Sequence, residues 1–185
     1  MADLILALDL PTGDDARRLV DRIPELTWVK LGPVLMNRAG GGVDLVREMV
    51  DRGLRVFLDQ KWHDIPNTVR GAAEAARGLG VRMATVHALG GAPMLAAAAE
   101  GAGESGDGGG LGIVAVTVLT SHDASSYGDA VGGLRADLRQ EVRRLATLAM
   151  GAGVRGLVCS PEEAADVRDV VGEGKWGFVP GVLRP

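Results

Sequence analysis

Asp59, Lys61 and Asp64 lie close together in a run from Val56 to Thr68 that reads Val-Phe-Leu-Asp-Gln-Lys-Trp-His-Asp-Ile-Pro-Asn-Thr. Side chains on a strand alternate between faces, so Asp59 and Lys61 share one wall and Gln60 takes the other. A carboxylate beside an ammonium suits proton transfer, because a lysine can give up its proton and take it back when its neighbours tune it. The usage of basic residues supports that role. The chain has seventeen Arg and only three Lys, at 30, 61 and 175, and Lys30 and Lys61 both fall at or near predicted strand ends. A guanidinium stays charged and would not serve there. A purely structural ion pair between Asp59 and Lys61 is the alternative.

These residues need elements to hold them. Apolar runs of strand length are predicted over residues 4–9, 27–32, 54–58 (ending in the charged 59–61), 83–88, 111–119, 156–160 and 176–179. Helical patterns fall between them, over residues 12–23 with Thr12 as cap, 43–52 with apolar Val43, Val46 and Val50, 66–79, 93–102, 134–150 and 161–172. Pro66 suits the first turn of its helix. Residues 103–110 read as a glycine-rich loop. Regular alternation of strand and helix means an α/β fold with a parallel sheet, either an open doubly wound sheet or a closed barrel. Polar residues end strand after strand (Asp9, Lys30, Asp59, Lys61, His87, Thr120) instead of gathering at one switch point, which favours a (β/α)8 TIM-type barrel. Such a barrel has eight strands in about 250 residues, with about 200 a usual minimum. Seven strands are expected in these 185 residues, so the sequence reads as one barrel domain over 1–185 that stops before its last βα unit.

Composition excludes several classes of function. With 46% hydrophobic residues, 24% charged residues and a net charge of −4, the chain is globular and offers no basic footprint for nucleic acid. One cysteine, Cys159, leaves no disulfide framework and reads as a small buried side chain. The start has no basic region ahead of its short apolar run, and no window reaches membrane-spanning length, so a cytoplasmic protein with no membrane partner is expected. Gly40 to Gly42 and Gly108 to Gly110 lack nucleotide-loop spacing. His63, His87 and His122 lack metal-ligand spacing, and His87 reads as a hydrogen-bonded structural histidine.

The stretch Asp59-Gln60-Lys61-Trp62-His63-Asp64-Ile65-Pro66-Asn67-Thr68 resembles the signature of the orotidine 5'-phosphate decarboxylases, Asp-x-Lys-x-x-Asp-Ile followed by Pro-Asn-Thr. The resemblance extends to Leu8-Asp9, Val29-Lys30, Thr85-Val86-His87-Ala88 with Gly90-Gly91, the run Val116 to Ser121, and Pro180-Gly181 with Arg184, and so covers the whole chain. It implies a barrel, a homodimer with shared active sites, and conversion of orotidylate to UMP in pyrimidine biosynthesis with no cofactor and no metal. By the same resemblance Lys61 is the acid that protonates the pyrimidine carbon, and Asp59 sits beside the departing carboxylate. Lys30 and Asp59 orient Lys61 and the ribose, Asp9 contacts the ribose, Thr120 reaches the pyrimidine edge and Arg184 binds substrate. Asp64, Ile65 and Thr68 are given to the neighbouring subunit's site. Geometry is compatible with that last role, since Asp64 lies three residues past Lys61, about 10 Å along an extended chain.

The sequence also departs from the pattern. Gln60 replaces an apolar residue, and the run Pro180 to Pro185 is one residue longer than the family's Pro-Gly-Ile-Arg-Pro. The family's phosphate-binding Gly-Arg pair and the glutamine of the preceding loop have no counterpart in the 185 residues. Two other readings therefore stand beside decarboxylation. One is a truncated, catalytically impaired barrel that only binds nucleotide. The other is a metal-dependent sugar-phosphate decarboxylase or synthase with the same Asp-x-Lys-x-x-Asp core.

Overall fold

The computed structural model describes residues 3–103, 110–132, 137–172 and 175–178. Seven strands run β1 (Leu6–Ala7), β2 (Trp28–Leu31), β3 (Arg55–Trp62), β4 (Met83–His87), β5 (Gly112–Val116), β6 (Gly156–Val158) and β7 (Trp176–Phe178). Each pairs in parallel with the next, in the order β1-β2-β3-β4-β5-β6-β7. A doubly wound sheet would reverse its strand order part-way; this one never does, as expected of a barrel wall. Eight helices cover it: α1 (Gly13–Asp21), α2 (Pro33–Met36), α3 (Gly42–Asp51), α4 (Pro66–Gly78), α5 (Gly91–Ala102), α6 (Ala124–Val131), α7 (Leu138–Gly151) and α8 (Ala164–Val171), counted among the described residues.

The two faces of the sheet build two separate apolar layers. One face of the strands, with Val29, Leu31, Val56, Leu58, Ala84, Val86, Ile113, Ala115 and Leu157, packs with helix residues such as Ala16, Leu45, Met49, Ala73, Leu95 and Leu145 into the larger core. The other face gives a smaller cluster of Trp28, Phe57, Met83 and Val114, with Ile5, Val158 and Trp176 against it. That cluster is the filled interior of the barrel wall, where bulky side chains need small ones opposite. Gly112 and Gly156 are the small ones: a Cβ on Gly112 would come within 2.3 Å of the Trp176 ring, and one on Gly156 within 2.7 Å of the Trp176 Cβ. Strand alternation then places the next inward residues, Lys30, Asp59 and Thr85, two positions further along β2, β3 and β4. The charged groups therefore rest on an apolar floor.

Several sequence expectations shift at this point. The strands are shorter than expected at most ends, but β3 is longer and carries the charged run inside it. Helix α3 buries Leu45, Val46 and Met49, whereas Val43 is 47% exposed, so its buried face is rotated from the expected one. Helices α2 and α6 were not expected. The expected helix over 134–150 begins at Leu138 in the described residues, capped by Asp137, whose side chain accepts from the Gln140 N–H. Residues 161–172 split into a 3-10 turn, Pro161–Glu163, followed by α8. The loop over 103–110 falls largely outside the described residues, as do Pro180, Gly181 and Arg184.

Candidate active site

The ends of β1, β2 and β3 bring four charged side chains into one chain of contacts. The Lys30 Nζ donates to Asp9 Oδ2 and to Asp59 Oδ2, both at 3.2 Å. The Lys61 Nζ donates to the other oxygen, Asp59 Oδ1, at 2.9 Å. Asp9, Lys30, Asp59 and Lys61 thus alternate in sign, which is what lets charges sit in a partly dry site at all. Gly32 lies beside the array: a Cβ there would be in ordinary contact with Asp9 Oδ1 at 3.4 Å and the Lys30 Nζ at 4.0 Å.

Asp59 is the hub, only 8% exposed. Burial pushes its carboxyl up, but the Lys61 hydrogen bond and charge, the Lys30 charge and the Thr85 hydroxyl outweigh that and hold it below the usual aspartate value. It is an anion at neutral pH.

Asp59 and Lys61 meet as the sequence predicts, but not by plain strand alternation. Lys61 has φ +50°, the only positive φ at a non-glycine among the described residues. The ladder is also broken: Leu58 pairs with Ala84 and the next pair is Trp62 with Val86, so three residues of β3 face Thr85 alone. A left-handed lysine costs about 1 to 2 kcal/mol. Such strain persists only where its surroundings fix it, and it concentrates at functional sites. Gln60, expected to face the helix layer, has its Nε2 buried without a hydrogen-bond partner.

Asp64 and Ile65 leave the wall. The Asp64 carboxylate accepts from the Ile65 N–H at 2.6 Å, and among the described residues it forms no ion pair with Lys61 or any other cation. Ile65 is 66% exposed, and Thr68, in the first turn of α4, is exposed too. Thr120 lies in an exposed turn beyond β5. Of the residues singled out from sequence, Asp9, Lys30, Asp59 and Lys61 come together. Asp64, Ile65, Thr68 and Thr120 make no hydrogen bond or ion pair with the array among the described residues, and Arg184 falls outside them.

Two nearby residues differ from what the sequence assigned them. Thr85 bonds both Asp59 and the Lys61 backbone. Its inward position two residues before His87 was readable, but nothing in sequence told it from a β-branched filler. His87, expected to be hydrogen-bonded, makes no side-chain hydrogen bond among the described residues; its ring stands 5.7 Å from that of His63. Burial, then the charges of His63 and Lys61, lower its pKa against an opposing pull from Asp59, so its ring is neutral at pH 7.

Comparison with known proteins identifies the family. The chain is 50% identical over 183 residues to the orotidine 5'-phosphate decarboxylase of Halorhodospira halophila, an alignment covering 98% of this chain and 75% of that protein. It is 46% identical over 186 residues to the enzyme of that name from Thermobifida fusca, covering 100% of this chain and 75% of the other. The crystal structure of orotidine 5'-phosphate decarboxylase from Lactobacillus acidophilus superposes with a TM-score of 0.87 at 31% identity, covering 98% of this chain and 81% of that one. Residues 2–184 match the family described as orotidine 5'-phosphate decarboxylase / HUMPS. A parallel wall in sequential order, an alternating Asp-Lys-Asp-Lys array at its strand ends and agreement along almost the full length have one explanation: the chain belongs to the orotidine 5'-phosphate decarboxylase / HUMPS family.

Proposed function

We propose that the protein removes carbon dioxide from orotidine 5'-monophosphate to give UMP, a carbon–carbon lyase reaction of pyrimidine biosynthesis. The observation that carries this reading is the array itself, with two lysines held on the two oxygens of one buried aspartate. In the proposed reaction the bond from the pyrimidine ring to its carboxylate breaks, carbon dioxide leaves, and the electron pair stays on the ring carbon. Lys61 donates its proton to that carbon and is reprotonated from solvent. Before that transfer the Lys61 and Lys30 ammonium groups stabilise the developing negative charge. They are already oriented by Asp59, so little reorganisation accompanies the chemistry.

The remaining roles are those that the family resemblance implies. Asp59 sits beside the departing carboxylate, and Asp9 and Lys30 meet the ribose. Thr120 meets the pyrimidine edge, and Arg184 adds a substrate contact. Asp64, Ile65 and Thr68 are proposed to complete the site of a second copy in a homodimer. Support for this comes from the Asp64 carboxylate, which has no cation of its own chain to pair with among the described residues, beside the strongly exposed Ile65. A buried Ile side chain contributes about 1.5 to 3 kcal/mol, so a partner covering it has an apolar anchor.

The test is a substrate panel. Orotidylate and phosphorylated sugar acids are offered to the purified chain with added magnesium or with a chelator. UMP formation that the chelator leaves intact is expected; turnover of a sugar phosphate that needs magnesium would overturn the proposal.

A further inference from the structure

We infer that Thr85 is a positioning residue for the decarboxylation, a single buried hydroxyl that locks Lys61 into its left-handed backbone and aims its ammonium by clamping Asp59. The inference rests on the decarboxylase reading. Three hydrogen bonds carry it. The Lys61 N–H donates to Thr85 Oγ1 at 2.8 Å, the Thr85 hydroxyl donates to Asp59 Oδ1 at 2.9 Å, and the Lys61 Nζ donates to that same Oδ1 at 2.9 Å. Together they close a ring in which both ends of Lys61, backbone and ammonium, are referred to one carboxylate oxygen.

The place of Thr85 in the wall makes this specific. It is 1% exposed and stands opposite the three residues of β3 for which the ladder offers no regular partner. An unpaired buried N–H is costly, and at Lys61 the hydroxyl takes it. A hydroxyl has one proton, so donating to Asp59 leaves its lone pairs for the Lys61 amide, and both bonds hold at once. Valine has the same shape and neither function. With valine there, the amide and Oδ1 each lose a partner, and the strained φ of Lys61 loses its restraint. Thr85 contacts no atom that reacts; it acts through Lys61 and Asp59.

The experiment compares the parent with Thr85→Val and Thr85→Ser under single-turnover conditions, with enzyme in excess over orotidylate. Thr85→Val should slow carbon dioxide release by about ten- to a hundredfold, the loss of one or two charge-assisted bonds. Substrate affinity should stay within about threefold, and Thr85→Ser should recover most of the rate. Backbone chemical shifts and amide exchange at Lys61 give a readout independent of turnover. The parent should show a protected amide and shifts of a left-handed residue; Thr85→Val should lose both.

A folded parent with a freely exchanging Lys61 amide overturns the inference even if Thr85→Val does not fold. So does a folded Thr85→Val protein with the parent's rate, or with unchanged Lys61 shifts. A parent that releases no carbon dioxide while Thr85→Val still alters the Lys61 backbone would sink the decarboxylase reading, and with it the catalytic consequence, while leaving the Thr85 lock on Lys61 standing.

Discussion

Asp59 divides its two oxygens between two lysines, and His87, which feels the charges of Lys61 and Asp59, has a neutral ring, so acid should affect the fold in two separate windows. For Asp59 the folded pKa is below the unfolded one. Its stabilisation is present above the unfolded aspartate value of about 3.9 and is lost as pH falls through the folded pKa. For His87 the folded pKa is also lowered, but the group is a base. Above about pH 6.5 neither state is protonated; as pH falls the unfolded state takes up the proton first, and stability drops until the folded pKa is passed. Denaturant midpoints against pH should therefore fall first below about 6.5, and His87→Gln should remove that step alone. An unaltered step in His87→Gln would contradict the assignment. At Lys61 the expectation concerns chemistry: Lys61→Arg keeps a cation but cannot deliver a proton. Turnover should fall by about a hundredfold or more, the usual worth of a positioned general acid. A near-normal rate in that variant would remove Lys61 as the donor.

The elements matter because they stack an ionic layer on an apolar one. Gly112 and Gly156 leave the space that Trp176 occupies inside the wall. Gly112→Val should lower stability by about 1 to 3 kcal/mol through overpacking, read from denaturant unfolding. It should do so with little effect on the array several residues away; equal stability would mean the interior is not filled as described. Strand type and order were legible in the sequence because buried parallel strands leave continuous apolar runs, as at Gly112 to Val116. The meeting of Asp59 with Lys61 was legible too, from spacing. The means by which they meet was not, since neither a left-handed lysine nor a broken ladder leaves a composition signal. Helix α6 was hidden for another reason. It is eight residues long, contains Ser125, Ser126 and Gly128, and buries only Tyr127 and Gly128, so no apolar period develops. Its start was readable in retrospect, because Asp123 and Ser126 form a capping box.

At the scale of the whole molecule, the proposed homodimer with shared sites makes a complementation test available. Mixing a Lys61→Ala subunit with an Asp64→Ala subunit, each inactive alone, should restore activity in the heterodimer, because one of its two sites is then intact. No recovery after verified subunit exchange would place Asp64 in its own chain's site. The chain spans about three quarters of the length of the curated relatives. Among its described residues β1 and β7 are not paired with each other and form the two ends of the sheet. Remote binding energy closes a site around its reacting group, so steady-state rates depend on more than the array. Single turnover with enzyme in excess isolates the array's own contribution. The most direct measurement is therefore release of label from carboxyl-labelled orotidylate by excess protein, beside buffer alone and beside Lys61→Ala. The account predicts release well above buffer by the parent and release at the buffer rate by Lys61→Ala. A folded parent no faster than buffer, or a Lys61→Ala variant as fast as the parent, would contradict it.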